Sequence, residues 1–159
     1  MTILSNFIHQ LSANVKLIET SHSDPSIVQM KVDLELLMEK EEKKKFKKLK
    51  IRENMINEAA DSSMWNHIYF IRCDTKDVGF LSLTESSFYE NLVWLSHLYI
   101  IEDYRNKNVG SKAIKLANEI VAYRGFEYFG VRFEGDKRKK FYSKSGFASE
   151  MSCVSIAEL

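Results

Sequence analysis

The segment from Val93 to Phe133 constrains the fold of this chain more than any other. An apolar run, Val93–Ile101, is followed by a polar break, Glu102–Asn108, and then by an amphipathic stretch, Gly110–Arg124. Ala113, Ile114, Ala117, Ile120 and Val121 recur at helical spacing and form one apolar face. Gly125 stands where a helix C-cap is expected. A second run rich in aromatic and β-branched residues, Phe126–Phe133, comes next. Strand, helix and strand in direct succession require a sheet with a helix packed on it. Val93–Ile101, the most apolar of the runs, is expected at the sheet's centre.

The flanks extend this pattern. Val15–Thr20 reads as a first strand. Asp24 before Pro25 is a helix start, a capping side chain followed by proline at the first helical position. Ile27, Met30, Leu34, Leu37 and Met38 follow at helical spacing. After the charged stretch Glu39–Lys50, the residues Phe46, Leu49, Ile56 and Ala59 resume the stripe on a second helix or a bent continuation. His67–Cys73 and Val78–Leu83 form a hairpin about the turn Asp74–Asp77. Asp136–Ser145 is a short basic helix ended by Gly146, and Ser152–Leu159 is a last strand. The expected class is α/β (α+β), a mixed sheet flanked by helices, with residues 1–159 as one domain.

Composition narrows the function classes. A length of 159 residues suits one core, and 45% hydrophobic with 28% charged residues describes a folded globule. A net charge of +1 provides no global field for nucleic acid or a membrane surface. The basic residues of Lys43–Lys50 alternate with Glu39, Glu41 and Glu42 nearby, the pattern of a solvated helix face. Cys73 and Cys153 make no disulfide framework, and Cys73, inside an apolar run, reads as a small buried hydrophobe. His9, His22, His67 and His97 show no metal-ligand spacing. The first residues lack the pattern of a signal peptide, and no apolar run approaches the ~20 residues that span a bilayer. A cytoplasmic protein, with no membrane or nucleic-acid partner, is the expectation.

The chemistry concentrates in Leu95–Ser111, where a strand ends, the chain turns and a helix begins. The first amides of a helix lack internal partners, and the helix dipole adds positive charge there. Successive amides of a turn form a nest for an anion, so the place suits a pyrophosphate. Gly110 has no Cβ to hold the backbone away, and Asn108 tolerates a left-handed conformation. Arg105 and Lys107 add charge at the same place.

These residues carry a resemblance. Leu98-Tyr99-Ile100, then Tyr104-Arg105, then Arg105, Asn108 and Gly110 followed by Ser111, resemble the acetyl-CoA-binding motif of the GNAT superfamily of N-acetyltransferases. Downstream, Phe141-Tyr142-Ser143-Lys144-Ser145-Gly146-Phe147 is similar to the family's closing helix motif. The two motifs span about a third of the chain, Leu95–Phe147. The departures are Asn108, where the family usually has glycine, and Gly135, where it often has a cofactor-binding asparagine.

The resemblance implies direct transfer of an acetyl group from acetyl-CoA to an amine, with no covalent enzyme intermediate. It implies cofactor contact at Leu98, Tyr99 and Ile100 on the strand, and at Arg105, Asn106, Lys107, Asn108, Val109, Gly110 and Ser111 on the turn. A backbone amide at Ile100 or nearby would polarise the thioester carbonyl. Tyr142 would touch the cofactor and give a proton to the departing thiolate as general acid. The sheet would splay beyond Val93–Ile101, admitting the pantetheine between that strand and Phe126–Phe133. For the base, His97 is the candidate on the key strand, since it titrates near neutrality. The acceptor is an amine on a small molecule or a protein, and a homodimer is compatible with the family. The alternative is a catalytically inactive GNAT-like domain that binds acyl-CoA or serves as an interaction module.

Overall fold

The computed structural model describes residues 14–42, 65–132, 136–147 and 151–155, with side chains over 14–38, 65–131 and 137–147. The strands are β1 (Val15–Thr20), β2 (Asn66–Cys73), β3 (Lys76–Glu85), β4 (Leu92–Ile100), β5 (Tyr128–Arg132) and β6 (Met151–Ser155). The helices are α1 (Pro25–Glu42), α2 (Val109–Tyr123) and α3 (Asp136–Lys144). The second helix expected around Phe46–Ala59 and the strand end Ile156–Leu159 lie outside the described residues. Among the described residues no helix is long and apolar enough to cross a membrane.

One six-stranded sheet runs in the order β1-β2-β3-β4-β5-β6. Only β4 and β5 are parallel; the other neighbours are antiparallel. The parallel pair is the one joined through a helix, α2, because a parallel return needs a crossover and a hairpin does not. The sheet is therefore mixed, as expected, and β4 is an interior strand.

Each helix forms where its local chemistry allows. Asp24 Oδ1 accepts hydrogen bonds from the amides of Ser26, at 2.9 Å, and Ile27, at 3.4 Å, and so caps the exposed start of α1. At the other end of α2, Gly125 takes φ +87°, and its amide donates to Ala122 O. A left-handed residue here stops the helix and satisfies a terminal carbonyl.

The helices cover opposite faces. α2 buries Val109, Ala113, Ile114, Ala117 and Val121 against Tyr69, Ile71, Leu81, Leu83, Val93, Leu95 and Phe129. α1 places Ile27 and Leu34 over Ile68, Phe70 and Phe80 on the other face. Cys73 lies in the α2-side core, 7% exposed, and burial pushes its thiol pKa up, in keeping with an unreactive packing residue.

Two irregularities in the ladder position the site. Ser82 pairs with His97 and Leu83 with Leu95, so Ser96 is an extra residue bulged out of β4. Val93 and Leu95 on one side of the bulge, and Leu98 and Ile100 on the other, consequently all join the α2-side core despite their change of parity. At the far end of β4, a Cβ on Gly79 would lie 2.0 Å from Tyr99 O. Only glycine lets β3 approach β4 this closely.

Candidate active site

The candidate site lies where the described pairing of β4 with β5 stops. β4 pairs with β5 from Leu92↔Tyr128 to Leu95↔Val131, and the pairing stops at the Ser96 bulge. Among the described residues, the remaining half of β4 is paired to β3 alone, through Gly79↔Ile100 and Ile101 N–H donating to Val78 O. Ladder bonds alternate along an antiparallel pair. Counting back from Ile101, Tyr99 and His97 turn their backbone groups to β3, and Leu98 and Ile100 turn theirs to the other side, which no strand pairs among the described residues. An open strand edge of this kind takes up an extended ligand by backbone pairing. The backbone of Leu98 and Ile100 therefore faces this edge. Tyr99 does not: its backbone is committed to Phe80, and its side chain lies on the α1 face beside Phe80.

A turn follows the end of β4. After a short 3-10 segment, Glu102–Tyr104, the chain passes through two left-handed residues, Asn106 at φ +60° and Asn108 at φ +63°, and enters α2. The first helical amide bond is Lys112 N–H to Asn108 O. From Asn106 to Ser111 the successive amides donate to no carbonyl or side chain among the described residues. A run of amides of this kind, at the positive end of a helix, has the chemistry to take an anion. Asparagine in place of glycine at residue 108 leaves the turn intact, because asparagine enters the left-handed region at small cost.

Three expected contacts change character here. Arg105 Nε donates to Ile100 O at 2.7 Å, and its guanidinium lies 5.6 Å from the Tyr99 ring centroid. The side chain thus ties the turn to the end of β4. Gly110 is buried, and a Cβ there would meet Phe141 Cζ at 3.0 Å and Ile100 Cδ1 at 3.2 Å. Packing inside the chain requires this glycine, quite apart from any ligand. The Val109 side chain is 3% exposed in the core, so only its amide faces the nest. Asn106, Lys107 and Asn108 are exposed, and Lys107 Nζ lies 5.6 Å from the Tyr104 ring centroid.

The contact of Phe141 with Gly110 and Ile100 brings the second motif to the first. Tyr142, next along α3, is 8% exposed and makes edge contacts with Phe141 and Phe147. Burial raises its pKa to about 12, partly opposed by the charge of Arg138. The phenol therefore holds its proton throughout the neutral range. Gly135 lies outside the described residues.

His97 lies on the α1 face. Its Nδ1 is 2.8 Å from Ser82 Oγ, and its ring is 6.2 Å from that of Phe80. Burial first, then the charges of Lys31 and His22, lower its pKa to about 4. His97 is thus neutral at pH 7, and the tautomer that donates from Nδ1 to Ser82 leaves Nε2 as an acceptor. The linkage has a definite sign. The unfolded chain binds the proton more tightly, so stability is complete above about pH 6.5 and is lost as pH falls towards about 4, by at most about 3 kcal/mol from this residue. His22, lowered by burial and by Lys31, adds in the same direction. Urea unfolding across this window should show a shallower acid loss for His97→Gln than for the parent chain; equal slopes would remove His97 as the titrating group.

Around His97 the α1 face becomes polar. Ser96 Oγ donates to Thr84 Oγ1 at 2.9 Å, and Thr84 Oγ1 donates to Asn66 Oδ1 at 3.4 Å. Trp94 pairs with Thr84 across the ladder and so shares this face. On α1, Lys31 is 5% exposed, with Nζ 3.1 Å from His22 Nδ1. None of these companions of His97 forms a motif. Lys31 alone left a sequence signal: it stands four residues after Ile27 and three before Leu34, in the middle of the buried stripe. Among the described residues no cluster of histidine, cysteine or carboxylate is placed to hold a metal.

Comparison with known proteins agrees with this geometry. The family model described as acetyltransferase (GNAT) domain matches residues 65–149. No curated protein matches the chain in sequence. Among solved structures, an acetyltransferase from Thermus thermophilus superposes with a TM-score of 0.67 at 13% identity, over 89% of this chain and 97% of that one. The PaiA N-acetyltransferase of Thermoplasma acidophilum, in complex with coenzyme A, gives 0.63 at 16% identity, over 88% and 96%. An aminoglycoside acetyltransferase from an uncultured soil metagenomic sample, in complex with sisomicin, gives 0.60 at 18% identity, over 88% and 92%. At these identities the likeness is one of fold.

Proposed function

The chain belongs to the GNAT acetyltransferase family, and from that premise we propose that it transfers an acetyl group from acetyl-CoA to an amine by direct attack. The observation that carries this reading is the run of amides from Asn106 to Ser111, set beside the edge of β4 at Leu98 and Ile100, neither of which has a backbone partner among the described residues. The two features fit two parts of one ligand, a pyrophosphate and an amide-bearing arm.

The roles of the residues follow from position. The nest amides hold the pyrophosphate. The Leu98 and Ile100 backbone aligns the pantetheine, and one of their amides steadies the negative charge that develops on the thioester oxygen. The attacking nitrogen forms the new C–N bond as the C–S bond breaks. Neutral His97 takes the proton that this nitrogen sheds, directly or through water, and Tyr142 supplies one to the sulfur. Arg105 holds the turn against β4 by its bond to Ile100 O.

Calorimetry with acetyl-CoA, followed by a screen of amines for released thiol, tests the proposal. Saturable binding is expected, with stabilisation of the fold by ~2.7 kcal/mol at a hundredfold excess over Kd. Binding without thiol release from any amine would favour the inactive acyl-CoA-binding module. No binding at millimolar ligand would overturn the assignment.

A further inference from the structure

The α2 side of the sheet carries a groove that acyl transfer does not use. The strand order leaves β1 at one edge of the sheet. Between that edge and the C-terminal half of α2 lies an open groove of about 530 Å³. Val15 and Leu17 of β1 and Leu116 and Ile120 of α2 line it, all half-buried. Tyr123 stands at its rim, 91% exposed. Leu116, Ile120 and Tyr123 recur at helical spacing and so share one side of α2. The amides assigned above to the pyrophosphate lie at the other end of this helix, so the groove is a separate surface.

Three observations select its occupant. The first is the backbone. Asp74 N–H donates to Asn14 O, and the register of β1 on β2 is regular from there. Ladder bonds alternate, so Lys16, Ile18 and Thr20 turn their backbone groups to β2. Val15, Leu17 and Glu19 turn theirs outward, where no strand pairs them among the described residues. Such an edge is a template for another strand. The second is symmetry. A two-fold axis normal to a sheet sets one residue against itself, and Leu17 is the middle of the three outward residues. Pairing Leu17 with Leu17 of a second copy sets Val15 against Glu19, so all the facing backbone groups are unpaired ones. The Leu17 side chain, on the α2 side, then meets its own copy over the groove. The third is charge. Lys16 and Arg124 are balanced by Glu119 and by Glu19 on β1, two of each sign. A balanced groove selects neither an anion nor a cation, but it matches itself on rotation. We propose that two copies of this chain associate through β1 and the C-terminal half of α2, joining their sheets across a two-fold axis at Leu17. Tyr123, an aromatic at the rim of an apolar groove, is covered in that pair, as anchoring residues of interfaces are.

Sedimentation of the full chain tests this, with a dimer expected to form at a Kd of about 10 µM or tighter. Leu17→Pro should be monomeric, because its N–H points outward and proline there costs no bond to β2 while blocking a new strand. Since Leu17 also packs on the core, two charge reversals give an independent reading. Glu119→Lys leaves the groove mostly positive and Arg124→Glu leaves it mostly negative, so each should weaken self-association by about tenfold or more. An equimolar mixture of these two variants should recover the parent affinity as a heterodimer. Thermal melting close to the parent value would show that the reversals leave the fold intact. A parent chain that stays monomeric at about 100 µM would overturn the proposal and leave the groove to another segment of the chain or to a small apolar ligand. A dimer that withstands Leu17→Pro and both reversals, or reversals that mixing does not rescue, would overturn it equally. None of these outcomes depends on the acetyltransferase reading.

Discussion

Ser111→Glu is expected to weaken acetyl-CoA binding by about a hundredfold or more, while leaving the fold as stable as before or slightly more so. Ser111 is the third residue of α2, which starts at Val109 after Asn108. A carboxylate there favours the helix by complementing its dipole, by about 0.5 kcal/mol. The same carboxylate competes for the amides from Asn106 to Ser111 and repels a pyrophosphate. Stability and affinity therefore move in opposite directions, and a global unfolding artefact cannot do this. Gly110→Glu would be a poorer probe, because its Cβ already meets Phe141 at 3.0 Å and the fold itself would suffer. Calorimetry and thermal melting of the parent and variant chains decide the matter. Equal affinity in the two would place the phosphates elsewhere.

Tyr142→Phe is expected to lower kcat by about a hundredfold to ten-thousandfold, with acetyl-CoA affinity within about twofold of the parent value. Tyr142 packs between Phe141 and Phe147, and phenylalanine preserves these ring contacts. What the variant lacks is the proton donor. Because burial holds the phenol at about 12, the alkaline limb of the rate profile should not fall until well above pH 10 on account of this residue. The same shift makes the fold sensitive to alkali. Stability from the neutral phenol is complete below about pH 10 and is lost as pH rises towards about 12. Rates within a few-fold of the parent would leave Tyr142 as packing alone.

Much of the architecture was legible because local rules acted without opposition. The strand Val15–Thr20 occupies its expected residues. The start of α1 was readable because Asp24 and Pro25 are capping residues whose preference is local. The turn was readable because left-handed backbone favours asparagine and glycine, and both asparagines adopt it. Cys73 was readable as buried from its apolar neighbours. Less legible was the part Arg105 plays. A cation near a presumed phosphate site is read as a ligand, yet the carbonyl of Ile100, brought back by the turn, claims its Nε. That a Cβ on Gly110 would also press on Phe141, 31 positions along the chain, was likewise not legible.

By itself the sequence determined the elements, their order, and the two motif segments that must meet. Periodicity, caps and turn chemistry are properties of a few adjacent residues, and these survive into the fold. Only the tertiary structure decided what those elements enclose. The Ser96 bulge, at which the described pairing of β4 with β5 ends, depends on the register against β3 and leaves no local mark beyond two polar residues between Leu95 and Leu98. The placing of Lys31 beside His22, with its charge felt at His97, depends on how α1 lies over the sheet. A helix periodicity records which residues share a face, but the partner of that face is chosen by packing over the whole chain.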